Sequence, residues 1–80
     1  MPKFYFHTAD GISAEQELPS VAAAKCEAAR YAGAVICDEA EKFWLSNEFF
    51  LAVSDEHGRM VFTLEARGHD APVAEVRNLT

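Results

Sequence analysis

The sequence predicts an α+β domain of order ββαββ: a four-stranded antiparallel sheet with one long helix packed on one face. Three observations lead there. Apolar and polar residues alternate in four short segments, two near each end of the chain. Each pair is separated by turn residues, Asp10-Gly11 in the first and Asp55-Glu56-His57-Gly58 in the second. Between the pairs lies an alanine-rich stretch, Leu18 to Lys42, whose apolar residues recur with helical spacing.

The first strand is Lys3 to Thr8, with Phe4, Phe6 and Thr8 on one face and Tyr5 and His7 on the other. Gly11 accepts the positive φ of a tight turn. Ile12, Ala14, Gln16 and Leu18 then alternate with Ser13, Glu15 and Glu17. This is a weaker strand, suited to a sheet edge where its charged side meets water.

The helix is expected as a single rod over residues 20–42. Ser20 is the N-cap, and Pro19 holds Leu18 extended before it. Eight alanines between positions 22 and 40 favour the helical state. Gly33 opposes it by about 1 kcal/mol, which calls for tertiary compensation. At 100° per residue two stripes separate. Val21, Ala24, Ala28, Tyr31, Ala32 and Val35 form a core-facing stripe. Ala22, Cys26, Ala29, Gly33, Cys37 and Ala40 form a second one made only of small side chains. That second stripe permits close approach of another backbone, from this chain or a second copy, and is the candidate interface; alanine-rich packing without a partner is the plainer account.

Phe43 to Asn47 reads as the return connection, with Trp44 folding back over the core. Phe49 to Ser54 and Arg59 to Ala66 are the second pair of strands. Residues 1–66 thus form one domain and 67–80 a C-terminal tail, where Gly68 and Pro72 break the pattern. In the tail, Val73, Val76 and Leu79 suit a short helix or an arm docking on a neighbour, against a simple frayed end.

Eighty residues leave room for one domain. A chain of this size buries only about 60% of its unfolded surface, so its stability is small unless a staple or partner adds to it. Thirteen acidic residues against seven scattered basic ones give a net charge of −6. Nucleic-acid and anionic-membrane surfaces need clustered Lys and Arg, so neither is expected as a partner. The opening MPKFYF lacks a charged leader followed by a long apolar run, and no apolar run reaches a membrane span of about 20 residues. A cytoplasmic domain with reduced thiols is the expectation. On one helix Cys26 and Cys37 would stand about 16 Å apart. That exceeds the roughly 7 Å limit for bridged Cα atoms and excludes an intrachain disulfide.

Taken together, Pro2-Lys3-Phe4-Tyr5-Phe6-His7, Asp10-Gly11, Glu17-Leu18-Pro19 with the helix through Ile36, and Val53-Ser54-Asp55-Glu56-His57-Gly58-Arg59 with Val61 to Leu64 form an ordered set. That set resembles a family of small uncharacterised proteins of alphaproteobacteria, rhizobia especially. The resemblance covers residues 2–66 and implies no activity; the cysteine pair and the tail lie outside its pattern. A fainter similarity runs to small antitoxins with a strand–turn–strand, a Leu-Pro and an alanine-rich helix. It implies a small basic toxin as partner, which an acidic domain suits electrostatically; no DNA-binding segment accompanies it.

Catalytic signals are sparse. His7, His57 and His69 fall in three segments, without the spacing that pre-arranges a metal site, and no cofactor is expected. A half-buried hydrogen-bonded side chain is the ordinary role for His7 on a strand. The leading expectation is a non-enzymatic protein-interaction domain, self-association to a homodimer included. An antitoxin-like partner of a small basic toxin is one alternative. The other is a small enzyme or ligand binder using His7 with Asp10 or a cysteine.

Overall fold

A computed structural model describes residues 1–71. The elements are β1 (Lys3–Thr8), β2 (Ser13–Glu17), α1 (Val21–Asp38), α2 (Ala40–Ser46), β3 (Glu48–Asp55) and β4 (Met60–Arg67). The domain is α+β, with four antiparallel strands in the order β2-β1-β3-β4 and two helices. Two hairpins therefore join side by side through β1 and β3. β1 and β3, which carry the fully buried large side chains, take the centre, and the acidic β2 takes an edge, as its alternation predicts.

Register places the core side chains on one face. Phe6 stands opposite Val53, Leu51 opposite Leu64, and Val53 opposite Phe62. Phe4, Phe6, Leu51 and Val53 are buried there beneath Ala24 and Ala28 of α1. Alanine at these helix positions lets α1 settle close to the large sheet residues, and Tyr31 adds a tilted contact to Phe6 at 6.4 Å between ring centroids. The helix starts where its cap predicts: Ser20 Oγ accepts the Ala23 N–H at 3.1 Å.

The single rod over residues 20–42 is corrected by the structure. Glu39, at φ −119° and ψ 44°, leaves the helical region and separates α1 from α2. The change of direction turns α2 onto the start of β3 and half-buries Phe43. Asn47 ends α2 in the left-handed region at φ 62°, which a short polar side chain tolerates. Trp44 differs from expectation too. It is 52% exposed, meets Phe43 edge-on at 5.2 Å, and overlies Gly68 instead of the core. Gly33 receives no tertiary compensation, since open space surrounds the position a Cβ would take.

Among the described residues no helix is long and apolar enough to cross a membrane. Cys26 and Cys37 are exposed free thiols. β4 runs through Arg67, and Gly68 is buried. The expected helix or arm of Val73, Val76 and Leu79 lies outside the described residues.

Candidate functional site

β1 projects His7 from the sheet face away from the helices, opposite Ser13 of β2 and Ala52 of β3. Its two ring nitrogens both find hydroxyls: Nδ1 lies 2.9 Å from Ser13 Oγ and Nε2 lies 2.8 Å from Ser54 Oγ. In the neutral ring one nitrogen donates and the other accepts, and a hydroxyl serves either. The relay ties three strands together and satisfies Ser54, which is buried at 8% exposure. Asp10 takes a different partner, the Thr8 hydroxyl, which is the main cause holding its carboxyl below the usual value. His7 is thus engaged by two serines, not by Asp10 or a cysteine. The hairpin register about Asp10-Gly11 contained the signal for Ser13. Ser54 had none, because its nearness to His7 depends on strand order.

A second feature lies on the helix side of the sheet. β1 ends at Thr8, opposite Leu51, so Glu48–Phe50 extend beyond it. α2 packs against β3 here, and an open groove of about 550 Å³ forms between the β1–β2 turn, α1 and α2. Tyr31, Val35 and Ile36 of α1, Phe43 of α2 and Phe49 of β3 make its apolar lining. On its rim Ile12, Leu45 and Phe50 are 58%, 85% and 42% exposed. Charge on the rim is mainly acidic: Asp10, Glu39 and Glu48 against Lys42, whose Nζ is already 3.3 Å from Glu39 Oε1. Neither His7 nor its two serines line this groove.

The small-residue stripe takes its orientation from the helix's contacts. Glu27 receives a hydrogen bond from Gln16 of β2, while Lys25 sits over the Phe62 ring of β4 at 5.9 Å. Stepping 100° per residue from Lys25 puts Ala22, Ala29 and Gly33 further round the β4 flank. These three, with Cys26, Cys37 and Ala40, are all exposed in the single chain. Among the described residues no three His, Cys, Asp or Glu side chains gather as a metal ion would need.

A family model described as a domain of unknown function, DUF6894, matches residues 3–67. The chain belongs to that family. The DUF6894 match takes in all four strands and both helices, and so contains both the His7 relay and the whole groove lining. No curated protein and no solved structure gives a significant match.

Proposed function

We propose that this DUF6894 domain is a non-enzymatic cytoplasmic module that works through protein contact, and that the groove between α1, α2 and β3 receives the partner. The observation carrying this reading is the rim: large apolar side chains left in water around an apolar trough on so small a domain. Rim and net charge point to the partner's chemistry. Acidic groups outnumber basic ones at the groove, and the chain carries −6 overall, so an apolar segment flanked by Lys or Arg suits it. The antitoxin-like alternative, with a small basic toxin as partner, is the most specific form of this reading. Nucleic acid and membranes are not among the proposed partners. Within the family, the chain is read as one of the alphaproteobacterial, rhizobial-type members, on its aromatic strand ending in His7, its Asp10-Gly11 turn and its Leu18-Pro19 helix start. The enzyme or ligand-binder alternative using His7 with Asp10 or a cysteine has less support, because His7 bonds Ser13 and Ser54 and Asp10 bonds Thr8.

Trp44, the single tryptophan, meets the groove residue Phe43 edge-on and reports on it. Titration with amphipathic helical peptides of one apolar pattern, basic-flanked in one set and acidic-flanked in another, should change its fluorescence only for the basic set. Leu45→Asp should weaken that binding about tenfold by placing a charge in the contact. Equal response to both peptide sets, or binding indifferent to Leu45→Asp, would sink the groove reading.

A further inference from the structure

We propose that β4 is a docking edge for a second copy of this chain, the two β4 strands pairing antiparallel about a dyad at Leu64. No β4 residue lines the groove, so this contact is separate from the one proposed above.

Among the described residues the strand order leaves two edges free, and they are built differently. β2 is only five residues long, carries Glu15 and Glu17 side by side on one face, and is followed closely by Pro19. Short length, like charge and a nearby proline all discourage further pairing. β4 has eight residues with neither Pro nor Gly among them, and past the extra residue Val61, which shifts its register with β3, Phe62 to Arg67 run regularly. Its two charged side chains neutralise each other, Arg67 Nη2 lying 3.4 Å from Glu65 Oε2. That regular stretch, pairing with its copy about Leu64, would form about five new backbone hydrogen bonds. The resulting eight-stranded sheet would carry both helix layers on one side.

The length of regular pairing and charge together select the register. Residues facing each other in an antiparallel pair share a sheet face, so the dyad falls on a residue that meets its own copy. Centring on Glu65 sets that carboxylate against the partner's Glu65. A centre at Thr63 pairs only Phe62 to Leu64 of the regular stretch, and one at Ala66 sets Glu65 against the partner's Arg67 but pairs only Glu65 to Arg67 of β4. At Phe62, the Lys25 ammonium above each ring would crowd its counterpart. Like charges directly opposed are destabilising. Leu64 remains, and there Leu64 meets the partner's Leu64, Phe62 meets the partner's Ala66, and Thr63 meets the partner's Glu65. No like charges stand opposite, and the half-exposed apolar residues of β4 extend the core across the seam. The arrangement also gives the small stripe a use. α1 runs over β3 and β4, and its β4 flank carries Ala22, Ala29 and Gly33, which lets the partner's helix come near.

Sedimentation of the full chain in reducing buffer tests the proposal, together with hydrogen exchange of the β4 amides at low and high protein concentration. A dimer is expected, with β4 amides gaining protection as concentration rises. Thr63→Glu places a carboxylate against the partner's Glu65 twice across the dyad and should weaken dimerisation about tenfold or more. Adding Glu65→Lys should restore it, which a mere folding defect would not allow. Leu45→Asp should leave the dimer intact, separating this contact from the groove. A chain that stays monomeric to millimolar concentration, or a dimer untouched by Thr63→Glu, overturns the inference.

Discussion

Replacing Gly33 by alanine should stabilise the monomer, and the size of the effect follows from its surroundings. Glycine inside a helix costs about 1 kcal/mol relative to alanine, because it loses more backbone freedom on folding. The substitution is harmful only where the new methyl meets something or the backbone requires positive φ. At Gly33 no heavy atom lies within 4 Å of the added Cβ, and its φ is not in the positive range found at Gly11 (+88°) and Gly58 (+80°). Little of the propensity gain is therefore returned, and about 0.5–1 kcal/mol of added stability is expected. For a domain of this size that corresponds to a rise of roughly 3–8 °C in Tm. Urea and thermal unfolding at low micromolar concentration would measure it, with an unchanged m-value as the sign that only stability moved. Gly58→Ala is the contrasting control, since its positive φ should make that change destabilising by about 1 kcal/mol. A loss of stability in Gly33→Ala at low concentration would refute the reasoning, because it requires a neighbour where the structure has open space.

Gly68→Ala should behave in the opposite way. Its Cβ would fall 2.8 Å from Trp44 Cη2 and 3.1 Å from Phe43 Cε2, forcing the indole aside. A destabilisation of about 1–3 kcal/mol and a shift in tryptophan emission are expected, and an unchanged spectrum would count against the contact. Asp55 gives a pH signature. Its carboxylate accepts the Arg59 and His57 backbone N–H groups, each at 2.9 Å. The Arg59 N–H is the largest cause of its lowered pKa, and the His57 N–H adds to it. A depressed folded-state pKa means the contribution is present above the unfolded value of 3.8 and fades as pH falls through the folded one. The stability gap between the wild type and Asp55→Asn should therefore narrow below about pH 4 in urea titrations run from neutral to acid. A gap of constant size across that range would rule out the carboxylate charge as its source.

The contrast between Ser20 and Trp44 shows what was legible. Ser20 acts on N–H groups three residues away, and its capping bond appears where local chemistry put it. The strands share this locality, because alternation and turn residues act over a few positions. Trp44 and the return connection depend on where α2 points, which Glu39 decides by leaving the helical region in a stretch that local propensity favours as helix. His7 divides the same way. Its sheet face followed from alternation and Ser13 from the hairpin, but Ser54 is 47 residues distant in the chain and reached it only through β1–β3 pairing.

By itself, then, the sequence determined which segments became strands and helix, which faces were apolar, and that the chain is acidic; each is a property of residues near one another along the backbone. Tertiary structure alone decided that β1 and β3 are the central pair, that α1, α2 and β3 border an apolar groove past the break at Glu39, and that β4 ends the sheet with its outer edge unpaired among the described residues. Those outcomes turn on the competition among distant strands and helices to bury the same Phe, Leu and Val side chains. No local pattern records which of them prevails.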